Sequence, residues 1–407
     1  MKKRIIIIGG GAAGFFAAIT CAESNPQLEV IILERGKEVL GKVKISGGGR
    51  CNVTHACFVP RELIKFYPRG ARELLGPFNR FCTGDMLDWL DQRGVATKIE
   101  NDNRIFPESN SSQTIMDCLQ QGAKQAGVKV LTRHKVEQLH SPPTPTDSWK
   151  ITTNRGDFWA DRLMIASGSN PRVWEMLKNL GHSIIPPVPS LFTFNIKDER
   201  IKNLPGLSVP QAQVKILGTK LQDAGPLLIT HWGLSGPAIL KLSAWGARDL
   251  HELNYQFDLQ VNWLGFNSLE DTRLQLADCK KEWARKLIPK QNPFQLPNRL
   301  WHSLTSAAGI NDTLRWADAN KKALNRLAVQ LTQCIFKVNG KSTFKEEFVT
   351  AGGLKLKEIN FKTFGSKILP NLFFAGEVLN IDAVTGGFNF QAAWTGGYMA
   401  GNAMAEE

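Results

Sequence analysis

The stretch RIIIIGGGAAG, residues 4–14, decides how this chain begins to fold. Its apolar first half predicts a buried parallel strand over residues 4–8, and the small residues that follow predict a helix over residues 12–24. A second apolar run predicts another buried strand over residues 28–34. The N-terminus therefore predicts a βαβ unit and an α/β fold, in which helices cover a parallel sheet.

The glycines of this stretch follow the spacing G-x-G-x-x-G between the predicted strand and the predicted helix. Gly9 permits a tight turn, Gly11 lets backbone N–H groups approach a pyrophosphate, and Gly14 lets the helix pack closely on the strand. Glu34, at the end of the second strand, can accept hydrogen bonds from both hydroxyls of a ribose and would repel a 2'-phosphate. The turn is therefore typical of a site for FAD or NAD rather than NADP. A glycine-rich turn without a ligand is the alternative.

A second glycine-rich segment, GKVKISGGGRCN, spans residues 41–52. Its three consecutive glycines allow close approach of the backbone to a flat ring or a phosphate. Lys42, Lys44 and Arg50 beside them can neutralise a pyrophosphate. The alternative interpretation is a flexible, basic surface loop.

The C-terminal region contains a third pattern, LFFAGE at residues 372–377, followed by the turn TGGFN at residues 385–389. The apolar run predicts a short buried strand that brings Glu377 to the ligand-binding edge of an open α/β sheet. An acid there can hold the ribityl hydroxyls of FAD. The helix predicted over residues 390–405 would stabilise negative charge on a flavin ring through its N-terminus. The alternative is a capped packing helix beside an acidic strand end.

Composition and charge limit the classes of protein to which the chain can belong. Its 407 residues exceed one ordinary domain, and the contents of 43% hydrophobic and 21% charged residues are typical of a globular protein. No apolar run reaches the roughly 18 residues of a membrane-spanning helix. The net charge of +13 favours anionic ligands, but it is spread along the sequence, so we expect no specific nucleic-acid partner.

The seven cysteines are scattered and include no C-x-x-C pair. We therefore expect reduced thiols and a cytoplasmic protein rather than a disulfide framework. Cys51, His55 and Cys57 come nearest to a set of metal ligands, but structural zinc sites usually need four. We expect no metal.

The middle of the chain predicts an insertion. A proline cluster, Pro186, Pro187 and Pro189, breaks the apolar pattern, and the alternating segments after it predict antiparallel strands. Residues 268–334 have a helical composition. The two ends of the chain therefore look like one domain interrupted by a large insert.

Four strings, in this order and spacing, resemble the BaiN/RdsA family of NAD(P)/FAD-dependent oxidoreductases: KISGGGRCNVT, ITHWGLSGPAIL, VTAGGL and FFAGEVLNIDAVTGGFNFQAAWTGGYMAG. That family includes a bile-acid ene-reductase and an aminoacetone oxidase. The resemblance implies a Rossmann-like FAD-binding domain of the two-dinucleotide-binding type, interrupted by a β-barrel insert that carries a helical subdomain. The implied boundaries are residues 1–189 and 351–407 for the FAD-binding domain, 190–264 and 335–350 for the barrel, and 265–334 for the helices.

The resemblance also implies which residues contact FAD. The N-terminal turn would hold the ADP half, the segments after residues 41 and 375 would hold the pyrophosphate, ribityl chain and ring, and Val136 would give the usual backbone contact to adenine. The expected contacts are Gly9, Gly11, Ala12, Ala13, Gly14, Glu34, Arg35, Lys42, Ser46, Gly48, Gly49, Arg50, Cys51, Asn52, Val136, Ser167, Gly168, Gly376, Glu377, Asp382, Gly386, Gly387, Phe388 and Asn389.

The expected activity is hydride transfer between flavin N5 and a small organic substrate, with NADH or NADPH as a transient donor. Reduction of an activated alkene and oxidation of a small amine by O2 both fit the sequence. His231, inside ITHWGLSGPAIL, is the candidate proton donor because imidazole titrates near neutral pH; a structural histidine bonded to backbone is the alternative. An RNA-modifying flavoprotein and a flavin-bearing sensor without turnover are the other classes. We expect a monomer or a homodimer.

Overall fold

The computed structural model of the chain describes residues 2–342 and 349–406. The chain divides into two compact units: unit 1 consists of Met1–Val188 and Lys345–Glu407, and unit 2 is Pro189–Phe344. Residues 343–348, which belong to the predicted barrel segment 335–350, lie outside the described residues. The finer division into an FAD-binding domain, a barrel and a helical subdomain remains a prediction.

The strands, in chain order, are β1 (Arg4–Ile8), β2 (Glu29–Leu33), β3 (Thr54–His55), β4 (Thr97–Ile99), β5 (Arg104–Pro107), β6 (Lys129–Leu131), β7 (Val136–His140), β8 (Trp149–Thr153), β9 (Gly156–Ala160), β10 (Arg162–Ile165), β11 (Ile184–Ser190), β12 (Thr193–Ile196), β13 (Ser208–Ile216), β14 (Gln222–Ile229), β15 (Gly233–Ser235), β16 (Gln256–Asn262), β17 (Cys334–Ser342), β18 (Val349–Leu354), β19 (Ile359–Asn360), β20 (Gly365–Ser366) and β21 (Leu372–Phe374).

The α-helices are α1 (Ala12–Ser24), α2 (Gly41–Gly49), α3 (Pro60–Leu63), α4 (Ala71–Phe78), α5 (Thr83–Asp91), α6 (Ser112–Gln125), α7 (Pro171–Asn179), α8 (Pro237–Trp245), α9 (Ala247–Glu252), α10 (Leu269–Glu282), α11 (Asn298–Ala307), α12 (Lys321–Thr332) and α13 (Phe388–Ala405). Short 3-10 helices occupy Ile64–Phe66, Ile288–Lys290 and Leu356–Glu358.

The large sheet of unit 1 has the strand order β19-β20-β21-β10-β1-β2-β6, in which the strands from β21 to β6 run parallel. Ile5, Ile6 and Ile7 of β1 are fully buried. Successive residues of a strand point to opposite faces, so both faces of this strand are covered, as in other parallel sheets. The predicted βαβ unit is present as β1, α1 and β2.

The two ends of the chain meet in unit 1. Strand β21 pairs in parallel with β10, and α13 packs along α1. Small residues permit this close helix packing: a Cβ added at Gly397 would lie 2.9 Å from the carbonyl oxygen of Ala13, and one at Gly401 would lie 2.7 Å from that of Ala17. The C-terminal helix therefore rests on the helix that follows the N-terminal glycine turn.

The proline cluster lies where the second unit begins, at Pro189. Pro186 and Pro187 are part of β11, which pairs with β18 in a two-stranded sheet. Proline lacks an N–H donor but is tolerated in a strand that has a neighbour on one side only. The antiparallel strands of the barrel begin later, at Thr193.

Unit 2 contains a closed six-stranded barrel with the strand order β12-β15-β14-β13-β16-β17. The residues that fill it, such as Phe194, Val214 and Phe336, are fully buried. Trp301 of α11 and Leu327 of α12 belong to the same hydrophobic cluster. The helices of unit 2 and its barrel therefore share one continuous core.

Candidate functional site

The carboxyl ends of the neighbouring parallel strands β21, β10, β1 and β2 lie at one edge of the sheet in unit 1. A Cβ added at Gly9, after β1, would lie 2.4 Å from the carbonyl oxygen of Ala166, after β10. A Cβ added at Gly376, after β21, would lie 3.2 Å from Cβ of Ala13 in the first turn of α1. Sequence-predicted residues from three distant segments therefore meet at this edge, where open α/β sheets bind their ligands.

The N-terminal turn leaves space at the start of α1. Gly11 is the N-cap of this helix, no side chain caps it, and a Cβ added there would meet nothing within 4 Å. The first turn of α1 carries no acidic residue. Its backbone N–H groups and the positive end of the helix dipole are consequently available to an anion.

Glu34 follows β2 and lies beside the same turn. Its Oε2 accepts a hydrogen bond from the backbone N–H of Gly10 at 2.9 Å, and its Oε1 accepts one from Gly36 at 2.7 Å. The Glu34 carbonyl accepts from the N–H of His134 at 2.9 Å, two residues before the predicted adenine contact Val136. Arg35 is exposed. The carboxylate is thus oriented by backbone donors, with lone pairs left for further donors.

The second glycine segment lies next to the first. The backbone N–H of Leu40 donates to the carbonyl oxygen of Gly10 at 2.8 Å, and α2 begins at the next residue. The α2 backbone leaves helical geometry at Ser46, whose hydroxyl donates to the Val43 carbonyl at 3.0 Å. Cβ atoms added at Gly48 and Gly49 would meet nothing within 4 Å. The segment is a helical turn followed by an open glycine turn rather than an unstructured loop.

Lys42 links the second and third segments because its ammonium group forms an ion pair with Glu377. A Cβ added at Gly168, beside Ser167, would lie 3.7 Å from the same Glu377 carboxylate. Two residues predicted to face different parts of one cofactor are therefore neighbours. The side chain of Glu377 is 18% exposed and that of Lys42 is 52% exposed, so the pair opens towards solvent.

Arg50 has partners inside the protein. Its guanidinium donates to Glu100 at 2.6 Å and lies 4.0 Å from the centroid of the Phe106 ring. Cys51 next to it is fully buried, and burial raises the pKa of its thiol to about 12. Arg50 therefore anchors the end of the glycine segment to β5 and the loop before it.

The third segment is held by residues that precede it by several hundred positions. Asp382 is fully buried and forms a two-pronged ion pair with Arg69, whose side chain is 14% exposed. The side-chain amide of Asn52 lies 2.9 Å from the backbone N–H of Gly387. His55 Nδ1 lies 3.1 Å from the carbonyl oxygen of Gly386. The turn before α13 is thus fixed on several sides.

The side chain of Phe388 packs in the protein interior. Its ring stacks on Phe66 with centroids 4.3 Å apart, and His55 lies 4.4 Å away on a tilted plane. The hydroxyl of Tyr67 donates to the Phe388 carbonyl at 2.6 Å. Asn389 bonds both backbone groups of Ala383, at 2.9 and 3.1 Å. Phe388 and Asn389 therefore stabilise the turn, and helix α13 begins two residues earlier than predicted.

His231 belongs to unit 2. It is exposed in the turn between β14 and β15, and no hydrogen bond of its ring is found among the described residues. The backbone-bonded structural histidine offered as the alternative is not seen in this part of the chain. Its role as a proton donor remains a prediction.

Three residues of this region were missed by sequence analysis. Tyr67 and Arg69 lie in the connection before α4, where no motif and no contrast with the neighbouring residues marks them. Asn380, between β21 and the turn, has a buried side-chain oxygen without a partner among the described residues. A buried acceptor left unpaired costs about 1–3 kcal/mol, so this atom is a candidate contact for a ligand donor.

Two further properties concern all of the described residues together. Within residues 2–342 and 349–406, His, Cys, Asp and Glu side chains do not gather in groups of three or more that could hold a metal ion. In the same ranges no helix has the length and apolar character needed to cross a bilayer.

Comparison with known proteins places this geometry in context. The chain is 27% identical over 424 residues to a 3-dehydro-bile acid delta(4,6)-reductase of Clostridium scindens, covering 99% of each protein. It is also 27% identical to a ribosomal RNA dihydrouridine synthase of Haemophilus influenzae, covering 97% of this chain and 96% of that protein. Among solved structures, a 3-ketosteroid-delta4-(5alpha)-dehydrogenase of Rhodococcus jostii has a similar fold, with a TM-score of 0.54 at 14% identity over 100% of this chain and 97% of that one.

A family model, described as the HI0933-like protein Rossmann domain, matches residues 3–403. Together with the relatives, it confirms the predicted family resemblance, the Rossmann-type α/β fold class and the assignment to the FAD-dependent oxidoreductases. Because the match spans nearly the whole sequence, the chain belongs to the HI0933-like family.

Proposed function

We propose that this chain binds FAD at the sheet edge of unit 1 and reduces a carbon–carbon double bond conjugated to a carbonyl group in a small organic substrate. The observation that carries the proposal is the open cradle at the start of α1, where Gly11 faces empty space beside an uncapped helix end. When bound there, FAD supplies hydride chemistry at N5 of its ring.

The residues present fit the cofactor. The pyrophosphate would lie against Gly11 and the first turn of α1, since N–H groups and the helix dipole favour an anion there. Glu34, already oriented by Gly10 and Gly36, would accept hydrogen bonds from the ribose hydroxyls. Gly48 and Gly49 leave space beside this turn. The other FAD contacts expected from the sequence are proposed on the same basis.

Lys42 and Glu377 would have distinct roles when the cofactor binds. The Lys42 ammonium is a half-exposed cation on a flexible four-carbon stem, so it could turn from Glu377 towards a phosphate and free the carboxylate to accept hydrogen bonds from ribityl hydroxyls. The N-terminus of α13 carries no side-chain cap and would stabilise negative charge on the ring during reduction. The ion pair of Arg69 with Asp382 keeps this helix end in place.

The choice of reduction over amine oxidation rests on the relatives. One is named a reductase of a 3-dehydro-bile acid at its delta(4,6) positions, and the other a synthase of dihydrouridine. Both names describe hydrogen addition to carbon–carbon double bonds near a carbonyl group. The chain is 27% identical to each relative. We therefore propose the reaction that the two names share and neither of their substrates.

The test uses the full chain reconstituted with FAD. Under anaerobic conditions, NADH or NADPH should bleach flavin absorbance at about 450 nm, and a 3-oxo-4-ene steroid should then restore it. Bleaching by small amines alone would favour an oxidase and overturn the proposal. Bleaching without recovery by any conjugated enone or by RNA would favour a sensor without turnover. Protein that takes up no FAD would refute the cofactor assignment.

A second candidate function is reduction of uridine within RNA. It is favoured by the name of the Haemophilus influenzae relative and by the net charge of +13, against the expectation of no specific nucleic-acid partner. Transcribed ribosomal RNA and the steroid should be compared as acceptors with the same reduced protein. Recovery of flavin absorbance with RNA only, together with dihydrouridine in the digested RNA, would select the second candidate.

A further inference from the structure

The positive charge of the chain is concentrated in unit 2. Residues 189–344 contain 20 Lys and Arg but 12 Asp and Glu, which accounts for +8 of the total of +13. Within residues 280–326 there are 10 basic and 3 acidic side chains. The sequence alone suggested an even spread because these cations are separated by apolar residues that fill the core of unit 2.

The fold gathers several of these cations in two adjoining clefts. The larger, of about 820 Å³, is lined by residues that include Lys290 and Arg299. The smaller, of about 540 Å³, is lined by residues that include Lys321, Lys322 and Arg326. Ala307, the last residue of α11, lines both clefts. The two clefts therefore form one cationic surface along α11 and α12, here called the α11/α12 surface.

Five cations of the α11/α12 surface are not neutralised by carboxylates, whereas Arg200 in the same lining pairs with Asp198. In the part of the chain that the structure describes, none of the five cations named above forms an ion pair with an acidic side chain. Glu199, the acidic side chain in the larger cleft, pairs with Lys202 at 2.8 Å instead. An uncompensated group of cations in a concave surface attracts a polyanion through its focused potential.

Two lysines lie at the start of α12, where their charge does not stabilise the helix. Lys321 and Lys322 occupy its first two positions after the N-cap Asn320, and the first turn has no acidic residue. Cations at a helix N-terminus are unfavourable because the helix dipole is positive there. Helix stability therefore does not account for this placement.

The lining of the clefts distinguishes among polyanions. Phe, Tyr and Trp do not occur among the residues that line either cleft, so stacking on unpaired bases is not provided. Asn203, Asn298, Ser303 and Ser306 line the larger cleft and offer hydrogen-bonding groups that suit a ribose 2'-hydroxyl. A membrane surface would need large exposed apolar side chains beside the cations, whereas Leu204 in the lining is buried and Val329 is half-buried.

We propose that the α11/α12 surface binds the phosphate backbone of folded, base-paired RNA. The proposal rests on the second candidate function, in which RNA carries the substrate base, and it assigns the docking of that RNA to unit 2. The cations would contact phosphates and the asparagine and serine side chains would contact ribose, so that recognition follows the shape of the RNA rather than its sequence.

The experiment measures binding of a fluorescein-labelled RNA hairpin to the FAD-loaded full chain by fluorescence anisotropy over a series of salt concentrations. The double variants Lys321→Glu/Lys322→Glu and Lys290→Glu/Arg299→Glu remove cations from the surface. The matched control, Lys215→Glu/Lys220→Glu, makes the same charge change at exposed positions of the barrel region in unit 2. Glutamate at the start of α12 suits the helix dipole, so the first variant should fold.

We expect each cleft variant to weaken RNA binding about tenfold or more and to lower the slope of log affinity against log salt by about 2, one for each cation removed. The control should change affinity by less than about twofold, and flavin absorbance should be equal in all four proteins.

Equal weakening by the control would show general charge attraction and overturn the proposal. A DNA hairpin of the same sequence and phosphatidylglycerol vesicles serve as the other two probes. Equal affinity for the DNA hairpin, or binding to the vesicles but not to RNA, would also overturn the proposal. Flavin content and the recovery of flavin absorbance with RNA are measured separately, so failure of docking at this surface is distinguished from failure of the proposed reduction.

Discussion

The two glycine turns of unit 1 are built in different ways. The N-terminal turn lies between β1 and α1, is contacted by Glu34 and Leu40, and at Gly11 faces empty space where a side chain would be. The C-terminal turn at Gly386 and Gly387 is surrounded: a Cβ at Gly387 would lie 2.6 Å from the backbone of Thr54, and one at Gly386 would lie 2.8 Å from the Phe388 ring.

The glycines of the N-terminal turn differ among themselves: side chains at Gly9 and Gly14 would collide with backbone, whereas one at Gly11 would meet nothing within 4 Å. The C-terminal turn depends on residues 52–69, which lie far away in sequence but contact it through an ion pair, hydrogen bonds and stacked rings. We expect mutations to separate the two turns, and the four that follow run from the largest to the smallest effect on stability.

Gly14→Ala should have the largest effect. A Cβ at this position would lie 2.0 Å from the carbonyl oxygen of Gly9, and neither backbone segment can move without opening the turn. We expect the free energy of unfolding of the apo-protein to fall by about 3 kcal/mol or more, measured by urea denaturation. Gly76→Ala is the control, because its Cβ would meet nothing within 4 Å in α4 and should be neutral or slightly stabilising. Equal changes in the free energy of unfolding for Gly14→Ala and Gly76→Ala would show that the backbone of the N-terminal turn can shift to accommodate a side chain.

Arg69→Met tests the support of the C-terminal turn. It leaves the fully buried Asp382 carboxylate without its guanidinium partner, so we expect a loss of about 3 kcal/mol. The double variant Arg69→Met/Asp382→Leu should recover much of that loss, because no buried charge remains. Arg72→Met, at an exposed position of α4, is the control. A single variant as stable as the control would mean that this ion pair does not hold the turn.

Tyr67→Phe removes one hydrogen bond from the same turn. The Phe388 carbonyl would lose its 2.6 Å donor inside the protein, and we expect a loss of about 1 kcal/mol in urea denaturation, with a modest rise in the dissociation constant of FAD. The control is Tyr398→Phe, whose hydroxyl makes no hydrogen bond among the described residues. If both variants behave alike, the hydroxyl of Tyr67 does not support the turn.

Gly11→Val should have the smallest effect on stability and a large effect on cofactor binding. Its φ of −95° suits any residue and its Cβ would meet nothing, so the free energy of unfolding of the apo-protein should change by less than about 0.5 kcal/mol. FAD titration should show at least a roughly tenfold weaker complex, since the side chain would fill the space proposed for the pyrophosphate. Full retention of FAD would contradict the placement of the cofactor.

The local parts of the fold were predictable from the sequence. The boundaries of β1 and α1 agree with the prediction. An apolar run predicts the buried strand, the glycines predict the turn after it, and the small residues that follow predict the helix. The strand through the proline cluster could not be predicted, because tolerance of proline depends on whether a strand has one neighbour or two, which the local sequence does not reveal. The expectation that the positive charge is evenly spread failed for a similar reason, since the helices of unit 2 bring together cations that are separated in the sequence.

The sequence by itself determined the family, the βαβ unit, and the three segments that meet at the sheet edge, because glycine spacing and apolar runs act over a few residues. Only the tertiary structure decided that Lys42 pairs with Glu377, that Arg69 and Tyr67 hold the turn before α13, and that Arg50 is engaged by Glu100. These contacts join residues that lie 50 to more than 300 positions apart. Their partners are chosen by packing and by the need to pair buried charge, and no short motif records that choice.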